Sequence, residues 1–113
     1  MFETGLLKGK SIIITGGGTG LGKSMATRFA ELGADLVITS RRQNVIDETA
    51  EELRQQGGQV LAVPCDVRDP DQVQHMVDET VKTFGKIDIL LNNAAGNFIS
   101  PTENLSPNAF KTV

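Results

Sequence analysis

The sequence predicts an α/β fold in which helices cover both faces of a parallel β-sheet. Two observations carry that prediction. Short apolar, β-branched runs alternate with segments of helical spacing, and glycines mark many of the boundaries between them. Short connections with right-handed crossovers then make the natural topology the N-terminal half of a doubly wound sheet, in strand order 3-2-1-4.

Each element has its own warrant. Ser11–Thr15, with Ile12, Ile13 and Ile14 in succession, reads as a strand covered on both faces. Residues 21–32 follow at helical spacing, with Leu21, Met25, Phe29 and Leu32 on one stripe, and Gly33 ends the helix where positive φ is wanted. Asp35–Ser40 is a second apolar strand. Residues 44–56 form the next helix, with Ile46, Ala50 and Leu53 on its inner face and Gly57-Gly58 as its stop. Residues 59–64 give the third strand. Asp69 then reads as an N-cap, Pro70 fits the first helical position and Gln72 completes a box-like pattern. Val73, Val77, Val81 and Phe84 make that helix's expected buried stripe, closed by Gly85. Residues 87–92 are the fourth strand, and 107–113 read as the opening of another helix. A sheet cut after its fourth strand would leave that strand as an unprotected apolar edge.

Composition narrows the function classes. The 113 residues are 39% hydrophobic with a formal net charge of −3, which suits one globular domain. That mildly acidic balance offers no basic footprint for nucleic acid and no polybasic patch for an anionic membrane. No apolar run is long enough to span a bilayer, and the first ten residues lack a secretory pattern. The single cysteine, Cys65, cannot form an internal disulfide, which suits a reducing, cytoplasmic compartment. Cys65 itself reads as a small buried hydrophobe. His75 is the one histidine and stands in no metal-ligand constellation, so no metal is expected.

The most informative segment is Thr15-Gly16-Gly17-Gly18-Thr19-Gly20-Leu21-Gly22, between the first strand and the first helix. Its spacing is G-x-x-x-G-x-G, through Gly16, Gly20 and Gly22. Small residues let the backbone turn sharply and approach a pyrophosphate, and amides at the helix N-terminus face the negative charge. The plain alternative is a glycine-rich turn with no ligand. Gly17, Gly22, Lys23 and Ser24 also match a nucleoside-triphosphate loop letter for letter, and Asp66 keeps that as a lesser alternative.

About 20 residues beyond such glycines, an NAD site usually carries a carboxylate for the ribose 2′-hydroxyl. Here that place holds Ser40, followed by Arg41 and Arg42. A guanidinium can grip a 2′-phosphate that a carboxylate would repel, so the segment favours NADP(H). Arg41 is the better candidate because it lies nearer the strand end, with Arg42 acting in its place or in addition. Read plainly, both arginines belong to a solvated turn.

Taken together with Asp66-Val67 after the third strand and Asn92-Asn93-Ala94-Ala95-Gly96 after the fourth, the chain strongly resembles the classical short-chain dehydrogenase/reductase family over essentially its whole length. The resemblance implies that Asp66 hydrogen-bonds the adenine amino group while Val67 packs nearby. It also implies that Asn93, Ala94, Ala95 and Gly96 line the cofactor, with Gly16, Gly18, Thr19, Gly20, Leu21 and Gly22 around the phosphates. Without it, Asp66 is a helix-initiating turn residue and Asn92-Asn93 are strand-end amides satisfying backbone groups.

A narrower likeness rests on residues 93–103 and 105–110, which resemble the 2,4-dienoyl-CoA reductase branch, with the trans-2-enoyl-CoA reductases as relatives. That branch reduces an unsaturated fatty acyl-CoA thioester with NADPH. The likeness implies that Asn97 polarises the conjugated carbonyl system or helps place the catalytic tyrosine, and that Arg68, Phe98 and Ser106 contact the acyl-CoA. Residue by residue, the plain readings are a turn former, a solvated arginine, a core phenylalanine and an N-cap before Pro107.

Family members carry a catalytic tyrosine and lysine further along, and this sequence contains no tyrosine. Residues 1–113 are therefore expected to be the dinucleotide-binding part of one Rossmann domain, cut before the catalytic region and inactive alone. The intact protein is expected to be a homo-oligomer. Two other functions stay open: a carbonyl reductase acting on 3-oxoacyl thioesters or an alcohol/ketone pair, and a non-catalytic NADP-binding module. The piece could also fail as a stable binder, because half a sheet exposes its edge and core.

Overall fold

Three consecutive isoleucines decide the centre of the fold. In a computed structural model, which describes residues 5–18, 20–93 and, by backbone alone, 98–101, Ile12, Ile13 and Ile14 are all fully buried. They lie in β1 (Ser11–Thr15), followed by α1 (Gly20–Glu31), β2 (Asp35–Ser40), α2 (Gln43–Arg54), β3 (Val60–Pro64), α3 (Pro70–Phe84), β4 (Ile89–Asn92) and β5 (Phe98–Pro101). The sheet order is β3-β2-β1-β4-β5, so the expected 3-2-1-4 arrangement is present. β1 runs parallel to both its neighbours, with Ile13 opposite Val37 on β2 and Leu90 on β4.

Strand alternation sorts these side chains into two layers. Ile12 and Ile14 pack with Ala26 and Ala30 of α1 and with Ile46, Ala50 and Leu53 of α2. Ile13 faces the other way, onto Val37, Val63, Val73 and Met76, beneath α3. Fully burying such a side chain is worth roughly 1.5–3 kcal/mol. The inner face expected for the second helix is observed.

α1 turns differently from its expected stripe and α3 departs from its own only in part, since Val73 is buried and Val77 and Phe84 pack against the core as expected. In α1 the buried positions are Gly22, Ala26 and Ala30, while Leu21 is 55% exposed. Met25 and Phe29 sit only partly buried at the flank of the core. The smallest residues line the contact because the start of α1 lies against the strand end, where no larger side chain fits. In α3 the buried positions are Val73, Met76 and Thr80, and Val81 is 45% exposed. Thr80 can occupy that face because its Oγ1 donates to the Met76 carbonyl at 2.8 Å.

The start of α3 refines the expected cap. Asp69 accepts from the Asp71 and Gln72 amides at 3.0 and 3.5 Å. Gln72, however, does not reach back to the cap's own amide. Its Oε1 accepts from the Asp66 N–H at 2.9 Å, and its Nε2 donates to Asp69. At the other end, Gly85 closes α3 with φ 82.

Two strand starts also shift, and the first is that β3 begins at Val60 rather than residue 59. β4 begins at Ile89 rather than residue 87, because Asp88 is engaged in receiving the Ser11 amide at 2.8 Å and Lys86 at 3.0 Å. The expected bare edge of β4 is corrected as well. β5 pairs with it antiparallel, Leu91 opposite Ile99.

The face correction in α3 can be read by mutation. Met76→Ala should destabilise the protein by about 2–5 kcal/mol in urea unfolding, whereas Val81→Ala should cost under about 1 kcal/mol.

Candidate functional site

The site is assembled where β1 hands over to α1. Gly16 (φ 69) and Gly20 (φ 59) take backbone conformations that favour glycine. Gly17 and Gly18 are small for a different reason. A Cβ at Gly17 would meet Ile38 Cγ2 at 2.9 Å, and one at Gly18 would meet Val45 Cγ1 at 2.8 Å. Gly22 is the tightest point, since a Cβ there would run into the Gly16 carbonyl. Gly20, by contrast, faces open space. The turn is thus packed at Gly17, Gly18 and Gly22 and open at Gly20, the first residue of α1. Leu21, exposed, stands beside that opening.

Distant elements hold the turn in place. Asn93 donates from Nδ2 to the Gly16 carbonyl at 3.3 Å, and the Gly16 amide donates to Thr39 O at 2.7 Å. Asn92 is buried, and its Oδ1 accepts from Thr15 Oγ1 at 2.8 Å. The plain reading of Asn92 as a strand-end amide therefore fits what it does. Thr49 of α2 donates to the Gly18 carbonyl at 2.8 Å. Sequence reasoning passed over Thr49, although a polar residue between Ile46 and Ala50 on a buried face was a signal.

The ends of β2 and β3 form the second part of the site. Ser40 Oγ accepts from the Arg42 amide at 3.1 Å, ordering the turn that carries Arg41. Arg41 and Arg42 are both exposed. β3 ends alongside, with the Cys65 amide donating to Ser40 O at 2.8 Å, so Asp66 comes out next to this turn. Cys65 is buried, and that burial pushes its thiol up, so it stays protonated and inert at neutral pH.

Asp66 and Arg68, assigned separate roles by the sequence, meet each other. The Arg68 guanidinium spans both carboxylate oxygens at 3.1 Å each, and the Arg68 amide adds a bond of 2.9 Å. These contacts hold the Asp66 carboxyl down at about 2, with the more distant charge of Arg41 adding to them. Arg68 remains largely exposed, and Val67 between them is half-buried.

Three other groups are accounted for. Lys23 forms an ion pair with Glu52 of α2 at 2.8 Å, directed to that helix, which argues against the nucleoside-triphosphate loop. His75 is exposed and 4.0 Å from Glu79. Among the described residues, no group of three or more His, Cys, Asp or Glu side chains could hold a metal ion. No helix among them is long and apolar enough to cross a membrane. Thr19, Ala94, Ala95, Gly96, Asn97 and Ser106 lie outside the described residues, as do residues 107–113 and the side chain of Phe98.

These residues fit a dinucleotide. The backbone is open at Gly20, where an added Cβ would meet nothing within 4 Å, and the adjoining strand ends offer guanidinium groups and an ionised carboxylate.

Comparison with known proteins agrees with the geometry. Residues 10–113 match the family model for short chain dehydrogenase. One relative is "Probable 2,4-dienoyl-CoA reductase 3 [(3E)-enoyl-CoA-producing]" of Caenorhabditis elegans, 51% identical over 100% of this chain and 37% of that protein. A short chain dehydrogenase structure from Bacillus anthracis is 51% identical, with a TM-score of 0.74 over 95% of this chain and 43% of its own. A short chain dehydrogenase/reductase from Burkholderia phymatum, solved in complex with NAD, is 36% identical, with a TM-score of 0.72 over 80% of this chain and 31% of its own. The chain thus spans less than half the length of each of these three proteins.

Two measurements test this geometry. Gly22→Ala should destabilise the protein by about 1–3 kcal/mol, because the added methyl has only the Gly16 carbonyl and Asn93 to push against. The lowered Asp66 value predicts a contribution to stability that is full above the ordinary 3.8 and lost as pH falls toward about 2. Arg68→Ala should therefore flatten the loss of stability in an acid titration across that window.

Proposed function

Because the chain belongs to the short chain dehydrogenase family, we propose that it is the dinucleotide-binding part of an NADP(H)-dependent oxidoreductase acting on an unsaturated fatty acyl-CoA of the 2,4-dienoyl type. The observation that carries the cofactor choice is the end of β2. Ser40 there is followed by exposed Arg41 and Arg42, with no carboxylate at the place where one would bind a free ribose 2′-hydroxyl. The substrate class is supported by the residues at 93–103 and by the name of the C. elegans relative.

When bound, the nicotinamide cofactor supplies the hydride. The chain's own residues bind and orient it. The glycine turn and the α1 N-terminus take the diphosphate, where backbone amides and the helix dipole favour negative charge. Arg41 takes the 2′-phosphate, with Arg42 beside it. Asp66, ionised at neutral pH, can only accept hydrogen bonds, which suits the amino group of adenine and not a second acceptor. Asn93, through the Gly16 carbonyl, ties the end of β4 to the phosphate turn. Asn97 is the proposed catalytic side chain in this chain, and Arg68, Phe98 and Ser106 are the proposed acyl-CoA contacts.

The test uses the full-length reading frame that encodes this chain. NADPH and NADH oxidation are compared with a 2,4-dienoyl-CoA and a 3-oxoacyl thioester. NADPH-dependent turnover of the dienoyl-CoA is expected, and Arg41→Ala should raise the KM for NADPH about tenfold or more while leaving NADH unchanged. Turnover of the 3-oxoacyl thioester alone, or a preference for NADH, would overturn the narrower reading.

A further inference from the structure

Two carbonyl oxygens of the glycine turn are engaged by side chains from far along the sequence. Gly16 O is held by Asn93 of the motif after β4, and Gly18 O by Thr49 of α2. Thr49 belongs to no motif. It is 3% exposed, on the same helix face as Ile46, Ala50 and Leu53. A hydroxyl buried on that apolar face needs a partner, and its partner at 2.8 Å is the Gly18 carbonyl. The same helix packs its first turns on Gly18, where a Cβ would meet Val45 Cγ1 at 2.8 Å and Ile46 Cγ2 at 3.3 Å.

An anion site made of backbone is sensitive to carbonyl direction, because an oxygen turned toward a phosphate opposes the amides that attract it. Thr49 holds one such oxygen against α2. Since α2 begins at Gln43, directly after the two arginines, one rigid helix joins the phosphate turn to the arginines at the end of β2. We propose that Thr49 is a positioning residue for the dinucleotide, orienting the phosphate turn through the Gly18 carbonyl and setting its spacing from Arg41. The proposal rests on reading the turn as a dinucleotide site.

Thr49→Val keeps the shape and removes the donor, and Thr49→Ser restores the donor. In the full-length protein, dissociation constants for NADPH and NADH are measured by fluorescence titration, alongside steady-state kinetics. Thr49→Val should weaken both dinucleotides by a common factor of about ten. It should raise the KM for cofactor while leaving kcat at saturation within about twofold, and Thr49→Ser should bind like the wild type. The common factor separates Thr49 from Arg41, whose loss affects NADPH alone. Wild-type affinity in Thr49→Val, or a Thr49→Ser protein as weak as Thr49→Val, would overturn the proposal and leave the cofactor reading standing. So would a fall in kcat with KM unchanged, the mark of a purely structural role. Failure of the wild-type protein to bind either dinucleotide overturns both readings.

Discussion

The close approach of α1 to the end of β1, the tightest among the described glycines, governs most of what surrounds it. At Gly22 the helix backbone lies so near the Gly16 carbonyl that a methyl group has no room, and the Asn93 amide closes the remaining side. Only glycine permits that contact, and its consequences run along the helix. Gly22, Ala26 and Ala30 make a stripe of small residues against the sheet, so α1 lies close to the isoleucines of β1. The larger Met25 and Phe29 are displaced to the flank. The same approach brings the helix N-terminus over the strand end, which is where an anion gains most from unpaired amides.

The electrostatics of the site are local. A chain with a net charge of −3 has no general attraction for an anionic ligand. What it has is a set of local groups: a packed glycine turn, two exposed arginines at the end of β2, and an acid at the end of the neighbouring strand. The Arg68 fork keeps that acid ionised down to about 2, so its role as an acceptor does not vary across ordinary pH. Thr49 of α2 and Asn93 just after β4 hold carbonyls of the turn, and Thr15 at its base holds the Asn92 amide. The fold contributes rigidity at the glycine turn.

Reading the sequence worked where one local rule was decisive and failed where two segments competed for the same space. The β-branched run at residues 12–14, the αL glycine at Gly85 and the cap at Asp69 each follow from local chemistry, and each appears as expected. The helix faces of α1 and α3 do not follow from hydrophobicity alone. Leu21 and Val81 are apolar enough to be buried, yet Gly22 and Thr80 take the inner positions, because distance to the sheet and a hydroxyl's own helical acceptor outweigh transfer energy there. Gln72 fits the pattern of a capping box, but a stronger opportunity at the Asp66 amide redirected it. The strand pairing that covers β4 could not be read either, since β5 is only four residues long and too short for a clear alternation.

From the sequence alone came the alternation of strands and helices, the strand order, the glycine turn and the arginine-bearing strand end. All of these are written in runs and spacings that neighbours along the chain can enforce. Tertiary structure alone decided that Asp66 and Arg68 would pair, that Lys23 would turn to Glu52, and that Thr49 would reach Gly18. The last two join residues 29 and 31 positions apart, on elements whose separation depends on how closely small side chains let helices approach a sheet. The first, though only two residues apart, depends on the turn after β3 bringing both side chains to one side. Direction and distance of that kind are products of packing, and no periodicity in the chain encodes them.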